Sequence, residues 1–344
     1  TAVMVASGRG AAAGVLIKGG EPLERLAGID TIVFDKTGTL TEGRPVVVET
    51  MIASGQDRDT VVRLVAAAET KSEHPLAKAI VAFAPKTSGQ TDDAQAIAGK
   101  GVIASVDGHR VIAGTPSFLA ESGIDIATFA PAIEQWSAQA RTVVLAAIDG
   151  RPAAAFAIAD TLRPNARSVI DSLKRRNLRI VMLSGDRKAT AEAIAREAGV
   201  EQVIAEVLPG GKVDAIKALQ QAGHRVAMIG DGLNDAPALA QADIGMAMAS
   251  GTDIAAEAAS VTLMRNDLSS VEQAIVLARK TMGIMKQNLF WAFVYNVVGI
   301  PIAAGLLYPS FGILLSPILA SAAMAFSSVS VVSNSLRLRG VTLS

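Results

Sequence analysis

A carboxylate stands at Asp35, directly after the apolar run Thr31-Ile32-Val33-Phe34 and directly before Lys36-Thr37-Gly38-Thr39-Leu40-Thr41. The apolar run reads as a buried strand, which puts Asp35 at a strand end and a hydroxyl-rich turn after it. That order suits a carboxylate nucleophile that accepts a phosphoryl group. An ordinary structural Asp at a strand end is the plain alternative; the neighbouring motifs favour the chemistry. Lys212 follows Leu208-Pro209-Gly210-Gly211 and offers a cation to neutralise phosphoryl charge. Gly230-Asp231-Gly232-Leu233-Asn234-Asp235 offers Asp231 as a hard oxygen ligand for Mg²⁺, with Asn234 and Asp235 in support. Thr37 can give a backbone carbonyl to the same ion, and Thr39 a hydroxyl to the phosphoryl group. Metal and lysine together would stabilise charge spreading over the phosphoryl oxygens.

These residues need elements to hold them. From Pro164 onward, strand and helix patterns alternate. Pro164 is expected in a first helical turn. Strands are expected at 178–183, 225–229 and 244–248, and helices at 188–198 and 209–222, closed by Gly199 and Gly223. This alternation predicts a parallel, doubly wound sheet whose ligands gather at the carboxyl ends of its strands. Asp35, Ser184 and Asp231 all fall at such ends. Between 46 and 148 the pattern changes. Helices are expected at 59–69 and 75–83, with a hairpin at 102–106 and 110–113 around Asp107-Gly108. A second hairpin, 142–148 and 153–158, turns at Asp149-Gly150.

Lys+Arg and Asp+Glu are both 32, so there is no basic excess of the kind a nucleic-acid surface needs. The absence of cysteine excludes disulfides and thiolate metal sites. Hydrophobic residues make up 50% of the 344 and the mean hydropathy is +0.38, which points to a membrane part. No charge occurs between Lys286 and Arg337, where apolar runs at 289–307 and 312–332 flank Tyr308-Pro309-Ser310. Each run can cross a hydrocarbon layer of about 30 Å as a helix. Lys280, Lys286, Arg337 and Arg339 place both outer ends in the cytoplasm. Residues 1–20 read as the tail of a membrane helix or as an ordinary amphipathic helix. The opening Thr1-Ala2-Val3-Met4 is expected to belong to a longer protein.

The run from Asp35 to Thr41 resembles the phosphorylation signature of the P-type ATPases, ion pumps that pass through an aspartyl-phosphate. The order of motifs matches over about residues 28–265. Ser184-Gly185-Asp186 stands where that family usually has Thr-Gly-Asp, and a Ser hydroxyl can still reach a phosphate. The insert carries Ser72-Glu73-His74-Pro75-Leu76 and Gly99-Lys100-Gly101, which resemble the nucleotide-binding domain of the heavy-metal branch. The resemblance implies that Glu73 and His74 approach the adenine, and that Gly99 and Gly101 let the backbone come close to the nucleotide. Lys36, Gly185, Asp186 and Asn234 complete the implied nucleotide contacts. Gly114-Thr115 replaces the Gly-Asn pair often found there.

Met324 and Ser328, four residues apart, share a helix face, and soft thioether with neutral polar groups suits Cu(I) better than Zn²⁺. Met is also a common filler of apolar helices, and Ser often bonds its own backbone. Together, Tyr295-Asn296 and Met324-Ala325-Phe326-Ser327-Ser328 resemble the signatures of copper(I)-exporting ATPases. A Zn²⁺/Cd²⁺ pump would place a Lys and an Asp in these spans, and a cobalt-type pump His-Glu-Gly-Gly. The family's Cys-Pro-Cys helix and actuator domain are absent from this chain.

The expectation is an α/β chain. A haloacid-dehalogenase-like doubly wound phosphorylation domain (21–45 and 150–275) carries an inserted α+β nucleotide-binding domain (46–149). A membrane-helix end and linker (1–20) and a transmembrane helix hairpin (284–336) complete it. The implied activity is ATP- and Mg²⁺-dependent export of Cu⁺ by a multi-pass protein of the plasma membrane with cytoplasmic catalytic domains. Its partners would be ATP, copper, the lipid bilayer and the N-terminal part of the same pump, with no nucleic acid. A silver or divalent-metal pump, a membrane-tethered phosphatase of the same fold and a non-catalytic binding fragment remain as alternatives.

Overall fold

The computed structural model describes residues 1–85, 91–97, 99–139, 141–208, 210–249, 253–304 and 317–343. They form two compact units. One comprises Thr1–Asp35, Asn165–Leu183 and Val207–Ser344, the other Lys36–Pro164 and Ser184–Glu206.

In the first unit the sheet runs Val15–Ile17, Val261–Leu263, Ile244–Met248, Val226–Gly230, Thr31–Asp35, Arg179–Leu183. All neighbours are parallel except the first pair. Every residue of Thr31–Asp35, Val226–Gly230 and Ile244–Met248 is buried, which is why these strands read as unbroken apolar runs. Thr31–Asp35 is central, with Phe34 level with Ile229 on one side and Met182 on the other. The strands that follow it in sequence lie on both sides of it, Arg179–Leu183 on one and Val226–Gly230 on the other, and such a switch point is where α/β sheets place ligands, beyond the carboxyl end at which Asp35 stands.

Three local expectations need correction. Val15–Ile17, read as linker, is an antiparallel edge strand against Val261–Leu263. Pro164 stands outside its helix, which starts at Ala166 behind Asn165; the Asn165 side chain is held by Asp267 instead. The helix expected from Pro209 runs Gly211–Gln221, and Pro209 lies outside the described residues.

Helix Ser269–Ala303 changes environment along its length. Val271, Ala274, Ile275, Leu277 and Ala278 are buried, whereas Leu289, Phe290, Phe293, Val297 and Ile300 are exposed. Helix Pro317–Leu336 likewise exposes Met324, Phe326 and Val329. Asn288 joins the two helices, donating to Ser335 Oγ at 3.1 Å and accepting from Asn334 Nδ2 at 2.9 Å. No helix among the described residues is long and apolar enough to cross a membrane. The expected spans include 305–316, which lie outside the described residues.

The second unit is built on an antiparallel sheet ordered Thr41–Ile52, Arg151–Leu162, Thr142–Ile148, His109–Gly114, Gly101–Val106, Thr91–Ile97. Both expected hairpins form. Their Asp-Gly turns have positive φ at both positions, the type I′ geometry that matches strand twist. On one face, Val61, Leu64 and Ile80 from helices Arg58–Glu69 and Pro75–Phe83 pack on Val102, Ala104 and Phe156. On the other, Phe118, Phe129 and Trp136 pack on Ile112 and Leu145.

Candidate active site

Asp35 is 5% exposed. Lys212, in the first turn of helix Gly211–Gln221, donates from Nζ to Asp35 Oδ1 at 2.6 Å and to Asp235 Oδ1 at 2.6 Å. Asp235 also accepts from the backbone amides of Asp231 and Gly232, both at 3.3 Å. Gly230 makes room for this carboxylate, since a Cβ there would lie 2.7 Å from Asp235 Oδ2. Carboxylate oxygens of Asp35, Asp231 and Asp235 lie within 4.8 Å of one another. Three acids around one ammonium leave surplus negative charge in a dry pocket. Burial first, and then the charge of Asp235, push the Asp35 carboxyl up to about 6, against the pull of Lys212. Burial alone would lower the Lys212 pKa, but the charge of Asp35 and hydrogen bonds to both acids outweigh it and hold the ammonium above its ordinary value. The two directions agree, because one lysine cannot neutralise several carboxylates. A hard divalent cation such as Mg²⁺ fits this donor set.

In the second unit, the loop Lys36–Leu40 is braced from several sides. The buried Arg163 donates from Nε to Thr39 O at 2.7 Å and from Nη2 to Gly38 O at 2.6 Å. Thr41 Oγ1 donates at 2.5 Å to Asp160 Oδ2 and lies 3.0 Å from Lys36 O. Lys36 pairs with Asp186 at 2.7 Å. Ser184 is buried, and its Oγ accepts from Asp186 N at 3.1 Å. Lys36, Gly185 and Asp186 line one cavity of about 1270 Å³. Thr39 Oγ1 is buried with no hydrogen-bond partner, an orphan that a phosphoryl oxygen would satisfy. Thr37 and Asn234 are exposed. Arg163 escaped the sequence reading because its carbonyl partners lie more than a hundred residues away.

A smaller cavity of about 240 Å³ in the same unit is lined by His74, Gly99, Gly101 and Thr115. His74 caps helix Pro75–Phe83, with Nδ1 accepting from Leu76 N at 3.2 Å. With Nδ1 accepting there, Nε2 is the ring nitrogen left for another partner. Gly101 is required by close approach, since a Cβ there would lie 2.1 Å from Ala113 O. Glu73 does not line this cavity; its side chain is 95% exposed and pairs with Lys78. The carboxyl in the cavity belongs to Glu69, which is 7% exposed and which burial pushes up to about 7. The sequence holds its signal. Glu69 follows Val61 and Val65 at steps of four, on the apolar face of its helix.

Of the expected ion ligands, Asn296 donates its amide to Ala292 O of its own helix at 2.8 Å. Met324 is 74% exposed, and Ser328 is exposed on the same helix face. The side chain of Tyr295 lies outside the described residues. Among the described residues, no hydrogen bond joins Asn296 to Ser328.

Residues 29–243 match the haloacid dehalogenase-like hydrolase family. The chain is 50% identical over 345 residues to copper-transporting ATPase 2 of Rhizobium meliloti (strain 1021), across 99% of this chain and 42% of that protein. It is 46% identical to a silver exporting P-type ATPase of Salmonella typhimurium, again across 99% and 42%. Its structure resembles that of a zinc-transporting PIB-type ATPase in its E2.Pi state, with a TM-score of 0.88 at 36% identity, across 98% of this chain and 54% of that one. The chain thus spans less than half the length of the two curated ATPases and about half of the solved structure.

Proposed function

We propose, from the premise that this chain belongs to the haloacid dehalogenase-like hydrolase family and within it to the heavy-metal P-type ATPases, that it is the ATP-cleaving and partial ion-binding portion of a copper(I) exporter. A carboxylate oxygen of Asp35 attacks the γ-phosphorus of ATP, the bond to the β-phosphate oxygen breaks, and ADP leaves. Water later hydrolyses the aspartyl-phosphate. Lys212 holds Asp35 ionised despite its raised pKa and then faces the phosphoryl oxygens. Asp35, Asp231 and the Thr37 carbonyl would hold Mg²⁺, which supplies charge neutralisation. Thr39 and Ser184 hydroxyls take phosphoryl oxygens, Lys36, Gly185, Asp186 and Asn234 serve the nucleotide, and His74, Gly99, Gly101 and Glu69 receive the purine. The observation that carries this reading is the Lys212 ammonium shared by Asp35, at the end of its strand, and Asp235, in the short turn that follows the adjacent parallel strand Val226–Gly230.

Copper rests on Tyr295, Asn296, Met324 and Ser328, whose soft and neutral groups suit a monovalent ion. The exposed apolar residues on both C-terminal helices support a lipid environment in the plasma membrane, with the two sheets cytoplasmic. The test is phosphorylation of the complete pump by labelled ATP and Mg²⁺ with Cu(I), Ag(I) or Zn²⁺ added separately. Hydroxylamine-sensitive label with Cu(I) is expected. Label with Ag(I) alone would favour a silver pump, and label driven by Zn²⁺ would overturn the ion. No label with any metal would overturn the enzyme.

A further inference from the structure

A cavity of about 600 Å³ lies in the first unit, apart from the carboxylate cluster, lined by Arg9, Arg265, Gln273, Arg339, Gly340 and Thr342 among others. Three arginines line it, and among the described residues no Asp or Glu does. Arg9 sits near the end of helix Ala2–Ala13, where one Nη2 bond to Val341 O at 3.2 Å ties it to the C-terminal segment. Its Nε is buried without a partner, as is Gln273 Oε1. Arg265 lies across Gly14, with Nε 3.1 Å from where a Cβ would stand. The acid nearest to it in sequence, Asp267, feels the Arg265 charge but takes its hydrogen bonds from the Ser269 amide and Asn165 and does not line the cavity.

Three cations around one cavity with no acid in its lining among the described residues repel, and a buried guanidinium N–H without an acceptor is costly. Both defects vanish if an oxyanion enters. A guanidinium fork matches phosphate oxygens in pairs, which an ammonium cannot do. We propose that this cavity is a binding site for a phosphate-class oxyanion, held by Arg9, Arg265 and Arg339. Two sources share that chemistry. One is free phosphate. The other is the headgroup of an anionic phospholipid, because Arg339 follows Ser335 by four residues, and Ser335 is bonded to Asn288 where the exposed apolar stretch of its helix begins. Basic pockets at the cytoplasmic ends of membrane helices take such headgroups.

The test is thermal unfolding of the whole chain in a neutral detergent with EDTA present, so that Mg²⁺-dependent phosphate uptake at Asp35 is silent. Dioctanoyl-phosphatidylglycerol, dioctanoyl-phosphatidylcholine and inorganic phosphate are added at constant ionic strength. A saturable rise in the midpoint of about 2–4 °C is expected with at least one phosphate anion and not with the zwitterionic lipid. It should disappear in Arg9→Gln, and in Arg265→Gln with Arg339→Gln, whose exposed side chains can be changed without touching the core. A rise with phosphatidylglycerol alone assigns a headgroup site, and a rise with both assigns a free-oxyanion site. No rise with either anion, or an equal rise in the Arg265→Gln, Arg339→Gln variant, overturns the proposal.

Discussion

The two units carry two sites built on opposite principles. In the mainly parallel sheet, side-chain charge makes the site: Asp35 and Asp231 from strand ends, Asp235 from the short turn after one of them and Lys212 from a helix start converge. In the antiparallel sheet, backbone and absence of side chains make it. Gly99 and Gly101 open the wall, His74 stands at a helix cap, and Glu69 is the one carboxyl lining the cavity among the described residues. The first arrangement stores electrostatic tension that substrate and metal relieve. The second fixes a shape that a flat ring can enter. Mutations should therefore act on different steps, phosphoryl transfer in one case and nucleotide affinity in the other.

The largest effect is expected at Lys212. Lys212→Met leaves Asp35 and Asp235 facing each other without a cation. Phosphorylation from ATP should fall at least about 100-fold, as for loss of a preorganised charge. Breaking a buried pair typically costs about 3–5 kcal/mol, and protonation of Asp35 will recover part of that. Combining it with Asp35→Asn should restore stability while leaving phosphorylation at background. A single variant that keeps normal label would remove the lysine from the chemistry. Arg163 comes next. Arg163→Met frees the Gly38 and Thr39 carbonyls and should slow phosphorylation about 10- to 100-fold with little change in ATP affinity. Arg163→Lys keeps the charge but loses the planar fork that reaches both carbonyls from two separate nitrogens, and should rescue in part. Equal loss of ATP affinity and rate would mean that Arg163 serves folding alone.

Gly101→Ala attacks the other site. Its Cβ would meet backbone at 2.1 Å, so the strand must shift. ATP affinity should drop about 10-fold, at a stability cost of about 1–3 kcal/mol. Phosphorylation of Asp35 by inorganic phosphate, measured in the complete pump, should survive, because that reaction leaves the cavity empty. Loss of both reactions together would erase the distinction between the two sites.

The contrast also explains what could be read from the chain alone. Strand-end acids announce themselves, because an apolar run followed by Asp is a local pattern; Asp35 and Asp231 needed no structure. Contacts that depend on distant pairing did not. The Arg163 brace and the edge strand Val15–Ile17 form only when remote segments meet. Glu73 was legible as part of a contiguous motif, whereas Glu69, the carboxyl that lines the cavity, is marked only by helix periodicity. The difference between these two carboxyls carries the subtlest prediction.

Glu69 sits in an apolar wall with its carboxyl pushed up to about 7 by burial. Between its ordinary value of 4.5 and about 7, the folded chain holds a proton that the unfolded chain has released. Stability must therefore fall as pH rises through that window and level off above it, by at most about 3 kcal/mol. Asp35 contributes a slope of the same sign, but its window runs from 3.8 to about 6. The interval from pH 6 to 7.5 thus belongs mainly to Glu69. Urea unfolding of the chain at half-unit steps should show the fall in wild type and a nearly flat profile in Glu69→Gln. Glu73→Gln, changing a solvated pair with Lys78, should leave the fall intact. If Glu73→Gln flattened the profile and Glu69→Gln did not, the cavity's carboxyl would have been assigned to the wrong turn of chain. Retention of the fall in both variants would place its origin outside this site.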